Sequence, residues 1–454
     1  MLNPSSSTAR TNESPQDGLW TVVGGGMIGM YVAWQLAKKG ARVRLIDAAP
    51  ALGGLTSAWK IGDVVWDKYY HVTLLSDNYL RSLLQELDLD KEIEWVQTRT
   101  GFYSDGRLHS LSNSLEFLRF PILSLYQKLR LGATIFLASK RKDWKALENI
   151  TVEAWLRKWS GDSTFEKIWL PLLKCKLGDA YQRTNAAFIW AYIQRMYAAR
   201  RSGLKQEMFG IVRGGYQRVL SEFASRLEKS GIEIVTGCKV TKIERNEKHF
   251  EIAYETDQNR SSMKSQRVIL TVPSPIVGAT VIDLTKRERE LVEGTEYLGV
   301  VCTSLLLDQS LGGFYVTNIT DPGIPLTGII EMGTLLPPSR FGGNYLVYLP
   351  RYLLSNDEGF DEPDTIVHER CLNTLQRMYP SFRPESVRAI QTARARYVMA
   401  LPTIGYSENL PPAICNTEGL FLLNSARIVD GTLNVNEVLR LVDRELPEIW
   451  NRVS

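Results

Sequence analysis

The chain has 454 residues, 44% of them hydrophobic and 23% charged, with a formal net charge of +4 at neutral pH. That length exceeds one simple core and suits two joined domains; the small charge and scattered Lys and Arg residues give no nucleic-acid partner. Four widely spaced histidines and five cysteines without a CxxC pair exclude a zinc site or a disulfide framework, so no metal is expected and a reducing, cytoplasmic setting is the simpler reading.

Residues 1–18 are polar and rich in Ser, Asn and Pro, the composition of a disordered leader. From Thr21 an apolar run passes through Gly24, Gly26 and Gly29 into a helical pattern of Met30, Ala33, Trp34 and Ala37. It turns at Gly40 and alternates through Val43 and Leu45 to Asp47. Strand, glycine turn, helix and acid-terminated strand make the dinucleotide fingerprint in its required setting. Gly24 permits the tight turn, Gly26 lets the backbone approach a pyrophosphate and Gly29 lets helix and strand pack closely. The exposed N–H groups of the helix start, at Met27 and Ile28, would receive the phosphates. Asp47 would accept hydrogen bonds from the adenosine ribose, and its charge disfavours the 2′-phosphate of NADP. A hydropathy window could take Gly18–Ala37 for a membrane span, but a buried strand–turn–helix explains the same apolarity.

Ala51–Ser57 adds the Gly53–Gly54 pair, and Val64–Trp66 leads as a short strand into DKYYH, Asp67–His71. Asp77–Glu94 reads as a helix with Leu80, Leu83, Leu84 and Leu87 on one face. Phe102–Leu111 reads as a hairpin turning at Asp105–Gly106. From Leu115 to about Arg201 the chain is mostly helical and too long for a crossover, so it forms a separate lobe. Within it, Phe117–Leu137 interleaves apolar residues with Arg119, Lys128 and Arg130. That pattern suits a lobe core with a charged outer face, or a surface resting on an anionic bilayer. Gly210–Gly215 opens a helix, Tyr216–Lys229, followed by a strand at Ile232–Val235, antiparallel strands in Cys238–Ala253 and a buried strand at Arg267–Val272. Val300–Leu307, Phe314–Asn318, Thr327–Met332 and Tyr345–Tyr348 suggest a mixed or antiparallel second sheet. A helix at Pro363–Met378, the strand GLFLLN at Gly419–Asn424 and a closing helix through about Leu446 complete the chain.

The opening fingerprint, the GG pair with DKYYH, the unit from Lys229 to Ile243 and the closing GLFLLN occur in one order. Together they resemble the FAD-dependent amine oxidase superfamily, which includes protoporphyrinogen oxidases, phytoene desaturases and monoamine oxidases, with UDP-galactopyranose mutase a structurally related outlier. The resemblance spans nearly the whole chain after the leader; Gly106–Gly132 looks most like the protoporphyrinogen-oxidase and desaturase branch. It implies an α/β fold, a Rossmann-type FAD-binding domain with a discontinuous helical and mixed-sheet substrate domain. FAD-binding segments are expected at 19–76, 206–280 and 396–454, the helical lobe at 77–205 and the rest of the substrate domain at 281–395.

By the resemblance, Gly24, Gly26 and Gly29 cradle the FAD pyrophosphate, Asp47 holds the ribose, and Gly53, Gly54 and Leu55 follow the pyrophosphate–ribityl portion. Val240 matches the position meeting the adenine, and the unit from Gly419 to Leu433, with Asn424 and Ser425, passes the flavin. Relatives commonly carry Gly-Asp where this chain has Asn424–Ser425, and an arginine where it has Leu55. His71 could position substrate or tune the flavin, or serve local structure; Tyr70 could line the same cavity or simply pack; Arg427 could meet an acidic or carbonyl-bearing substrate. Arg213 could approach an anionic group or cover a surface helix, and the run Arg394–Tyr397 is not a catalytic signature.

The implied function is an FAD-dependent oxidoreductase that dehydrogenates or desaturates an apolar or conjugated small molecule by hydride transfer to flavin N5. The small-molecule substrate could be lipid-like, oxygen or quinone would serve as electron acceptor, and a peripheral membrane contact is a further expectation. Flavin amine oxidation, redox-neutral isomerase or mutase chemistry, and a non-catalytic FAD-binding role are the alternatives.

Overall fold

The computed structural model describes residues 18–198 and 208–453. Apart from Gly18, the expected leader lies outside them, as does the expected end of the helical lobe. The opening segment folds as strand Leu19–Val23, helix Met27–Lys38 and strand Arg42–Ile46. The first strand is central in a five-stranded parallel sheet. In space the order is Glu233–Val235, Arg42–Ile46, Leu19–Val23, Arg267–Leu270 and Leu420–Leu422. Central parallel strands are covered on both faces, which accounts for the mostly apolar LWTVV and RVIL. Trp20 is fully buried and stacks on Phe421 and Trp450, so both ends of the chain meet at one side chain.

A second sheet of seven strands forms the other body. Its order is Val387–Ala400, Tyr297–Leu307, Tyr345–Leu354, Gly328–Glu331, Val316–Ile319, Thr100–Ser104 and Arg107–Ser110. All neighbours are antiparallel except Val316–Ile319 with Thr100–Ser104, so the sheet is mixed. Asp105 and Gly106 both take positive φ at the expected hairpin turn. The long strand Val387–Ala400 does not stand out in the sequence because it is an edge. Its Arg388, Arg394 and Arg396 pair with Asp308, Asp364 and Asp361, and charge is what an edge strand carries against unwanted pairing.

The helix expected over Asp77–Glu94 stops at Glu86. Asp88 turns left-handed at φ 59°, and Ile93–Gln97 instead pairs antiparallel with Met208–Val212. Lys239–Arg245 and Phe250–Glu255 form the expected antiparallel pair, and a polar third strand, Arg260–Ser265, completes that sheet. The lobe packs helices Leu125–Lys140, Val152–Ser160, Leu170–Leu177 and Ala186–Ala198 around Trp155, Phe165, Trp169 and Trp190. Ser124 and Thr151 cap two of these helices with side-chain hydrogen bonds. No helix among the described residues is long and apolar enough to cross a membrane.

Candidate active site

The helix Met27–Lys38 begins at Gly26 without a side-chain cap and without an acid in its first turn. Its leading N–H groups are therefore left to a ligand, and the helix dipole favours an anion there. The turn is shaped for close approach. Gly24 has φ +112°, and a methyl group on Gly29 would lie 1.7 Å from the Gly24 carbonyl oxygen. A methyl group on Gly26 would instead meet no clash, its only neighbour within 4 Å the Gly54 Cα at 3.9 Å. Thr271 Oγ1 donates to the region of the Val23 and Gly24 carbonyl oxygens at 3.0 Å each, tying the turn to the neighbouring strand.

Asp47 lies at the end of the second strand. Its carboxylate accepts from Gly25 N–H and, at 2.7 Å, from Ala49 N–H. Gly25 in turn accepts from Gly53 N–H at 2.8 Å, so the GG pair is fastened to the glycine turn. Gly53 is buried with φ +129° and Gly54 is exposed with φ +55°; Leu55 follows in a short 3-10 turn. Gly237 N–H and Cys238 N–H bond the carbonyls of Ala49 and Asp47, bringing the segment before Val240 to the same strand end. The ladder shifts register between Val240 and Lys242. An uncapped helix start, a glycine-lined opening and a carboxylate at the strand end fit a dinucleotide.

The closing unit sits beside this cradle: Leu423 N–H bonds the Leu270 carbonyl at 2.9 Å, and Tyr31 hydroxyl meets Asp443 at 3.3 Å. The Asn424 amide is spent on the Val272 carbonyl and Ser274 hydroxyl, while its oxygen accepts from Ala426 N–H. Asn thus braces the last strand against the adjoining turn. Ser425 opens a short 3-10 turn, and Leu433 packs on the nucleotide-domain core.

Beyond the cradle, Tyr69, Tyr70 and Val72 pack with Tyr315, Tyr348, Tyr352 and Cys302. Tyr70 and Tyr352 share a hydroxyl–hydroxyl contact of 3.3 Å. Burial raises the Tyr70 and Tyr348 hydroxyls well above the usual range and Tyr352 to about 12, so all three stay protonated. Lys176 from the lobe sets its ammonium 2.9 Å from the Tyr352 ring centroid, and burial lowers it to about 7. Tyr192, also from the lobe, lies near Tyr70 and Tyr352.

His71 Nδ1 lies 2.9 Å from the Tyr69 carbonyl oxygen, which can only accept. Nδ1 is therefore the protonated nitrogen and Nε2 carries the lone pair. Burial lowers His71 to about 4, keeping the ring neutral; its solvent-reachable portion belongs to a small cavity shared with Tyr216 and Asp67. Asp67 accepts from Tyr216 N–H at 2.9 Å, at the start of helix Gly215–Lys229, and burial raises it to about 8.

Tyr70 thus sits in the tyrosine cluster and His71 lines the small cavity beside Asp67, while Arg427 belongs elsewhere. Its guanidinium pairs with Glu445 and bonds the Pro411 carbonyl. Arg213 pairs with Glu94. Gly25, Thr271, Lys176 and Tyr352 are additions from the structure. The middle glycine of the run Gly24–Gly26 is the signal for Gly25; Lys176 in LKCKL carries none. A cleft of about 1220 Å³ runs between the lobe and the Thr320–Leu326 loop. Leu170, Pro171, Lys174 and Cys175 line it, whereas at 100° per residue Lys176 faces the opposite side of that helix. Tyr352, under the Lys176 ammonium, also lines this cleft, so the tyrosine cluster reaches the cleft wall.

A model of the family described as flavin containing amine oxidoreductase matches residues 28–406. The chain belongs to this family. Among relatives of this flavin-containing amine oxidoreductase, the chloroplastic protoporphyrinogen oxidase 1 of Arabidopsis thaliana is 23% identical over 369 residues, 72% of this chain and 68% of that protein. Putrescine oxidase bound to putrescine has the same fold, with a TM-score of 0.71 at 16% identity over 96% of this chain and 99% of that one. A CLA-producing fatty acid isomerase from P. acnes gives 0.68 at 14% identity over 96% and 99%. By its family the protein is an FAD-dependent oxidoreductase that transfers hydride or electrons to FAD.

Proposed function

We propose that this oxidoreductase dehydrogenates or desaturates an apolar or conjugated, lipid-like small molecule beside the Tyr70–Tyr352 cluster. The observation that carries this reading is Lys176 over Tyr352. A lysine among neutral phenols offers no carboxylate to an ammonium substrate and leaves the remaining surface suited to apolar carbon. Flavin amine oxidation is disfavoured on the same ground. FAD, when bound, supplies the acceptor for hydride from an activated C–H bond, with oxygen or a quinone reoxidising it. Gly24, Gly26, Met27, Ile28 and Gly29 hold its pyrophosphate, Asp47 its ribose, Gly53, Gly54 and Leu55 its ribityl side, and Val240 its adenine; Asn424, Ser425 and Leu433 support the flavin end. Tyr70 orients substrate through its hydroxyl pair with Tyr352. Neutral His71 accepts a proton or hydrogen bond at Nε2. Arg427, already paired, steadies the closing helix.

The lobe supports a peripheral membrane position. Leu115, Leu118, Leu125, Tyr126, Leu129, Phe136 and Leu137 are each between 49% and 69% exposed. On helix Leu125–Lys140, Leu125, Tyr126, Leu129, Phe136 and Leu137 form one stripe, with Leu131, Thr134 and Ala138 on the buried side. Residues 114–198 hold fourteen Lys and Arg against seven Asp and Glu, which matches an anionic surface.

Anaerobic mixing of the yellow holoprotein with polyenes, porphyrinogens and amines tests the chemistry. Bleaching of flavin absorbance by a polyene or porphyrinogen is expected; bleaching by amines alone would overturn the reading. Redox-neutral isomerisation is the second reading, supported by the isomerase likeness. It predicts turnover without bleaching, and only after prior reduction of the flavin.

A further inference from the structure

We infer that Lys176 is a specificity-determining anchor for the carboxylate of an otherwise apolar substrate, held against Tyr352 where that ring lines the cleft. The inference deepens the proposed reading and rests on it. Lys176 comes from helix Leu170–Leu177, whose Thr327–Cys175 contact (Thr327 hydroxyl to the Cys175 carbonyl, 2.8 Å) lays it across the second sheet. Its ammonium stands 2.9 Å from the centroid of Tyr352, which meets Tyr70 hydroxyl to hydroxyl.

Among the described residues no carboxylate pairs with Lys176, and desolvation alone acts on it. The nearby lysines and arginines of the lobe are engaged differently: Lys128 donates to the Leu118 carbonyl, Arg157 pairs with Glu153 and Glu166, and Arg195 pairs with Asp77. A half-buried lysine held only by a ring face has donors left without an oxygen acceptor. The ring offsets part of the desolvation cost, and an anion would offset the rest. A carboxylate is the anion that an apolar substrate can carry without losing its apolar body. Each phenol has one proton and one of the two is used within the Tyr70–Tyr352 pair, which leaves the other hydroxyl to donate to the same carboxylate.

The test titrates the holoprotein with decanoate, methyl decanoate, decanol and decylamine, read by tryptophan fluorescence and by perturbation of the flavin spectrum. Wild type is expected to bind decanoate about tenfold or more tighter than its methyl ester, the scale of one charge-assisted hydrogen bond. Lys176→Met should erase that preference while leaving decanol affinity unchanged, and Lys176→Arg should keep much of it. Equal affinity for acid and ester in wild type, a preference that survives Lys176→Met, or tighter binding of decylamine would overturn the inference. Binding is read without turnover, so loss of the carboxylate preference alone sinks the anchor, whereas absence of polyene or porphyrinogen bleaching sinks the broader reading.

Discussion

Gly29 and Gly26 are three residues apart in one turn, yet they separate folding from cofactor binding. A side chain at Gly29 collides with backbone at 1.7 Å, and a methyl group at Gly26 meets no clash. Gly29→Ala is expected to destabilise the protein by about 3 kcal/mol through overpacking, seen as a lower urea midpoint with or without FAD. Gly26→Ala should leave the FAD-free midpoint unchanged and weaken FAD binding by about tenfold, roughly 1.5 kcal/mol, measured by flavin fluorescence quenching. Equal effects of both changes on the FAD-free protein would refute the distinction. Asp67 makes a pH prediction. Its carboxyl is raised from 3.8 to about 8 by burial, opposed by the N–H groups of Tyr216 and Gln217. A raised pKa means the folded state holds the proton more tightly. Its contribution is therefore full below pH 4 and lost as pH climbs through 8, at about 1.4 kcal/mol per pH unit at most. Tyr348, Tyr216 and His71 surround it and stay neutral in that window. Asp67→Asn should flatten the decline in melting temperature between pH 6 and 9; an unchanged slope would place the titration elsewhere.

At the scale of elements, the exposed stripe of helix Leu125–Lys140 tests whether the lobe meets lipid. Replacing Leu125, Leu129 and Phe136 with Ser removes apolar surface that the fold already leaves to water. Stability should hold within about 0.5 kcal/mol, while flotation with phosphatidylglycerol vesicles should be lost. Failure of wild type to float at low salt would end the membrane reading. The stripe also shows what sequence could carry. Interleaved Arg and apolar residues marked Phe117–Leu137 as two-sided, but which side faced water depended on Trp155 and Trp190 packing beneath it. Local signals carried the opening strand, turn and helix, because each glycine acts on neighbours a few residues away. Ile93–Gln97 and Val387–Ala400 were hidden because their pairing partners, Met208–Val212 and Tyr297–Leu307, lie across the lobe or a helix. Lys176 was illegible for the same reason: Tyr352, not the surrounding LKCKL, makes it unusual.

The whole molecule closes on itself at Trp20. The opening strand carries the glycine turn, the last strand carries Asn424, and the final helix returns Trp450 to stack on Trp20 opposite Phe421. A cofactor cradle assembled from distant stretches binds only after both ends have docked, so FAD should stabilise the native state as a ligand that the unfolded chain cannot hold, by about 2.7 kcal/mol at one hundred times its Kd. Trp20→Ala is expected to cost about 3–5 kcal/mol and to loosen both ends together. Hydrogen exchange should rise in Leu420–Leu422 and in the closing helix, and FAD affinity should fall in parallel. Phe382→Ala provides the comparison, since Phe382 is equally buried but packs in the core under the second sheet with Leu375 and Met378. It should lower the melting temperature by a similar amount without reducing FAD affinity once the protein is folded. If the two variants weaken FAD binding equally, the cradle responds to general stability, and the meeting of the chain ends at Trp20 has no special part in holding the cofactor.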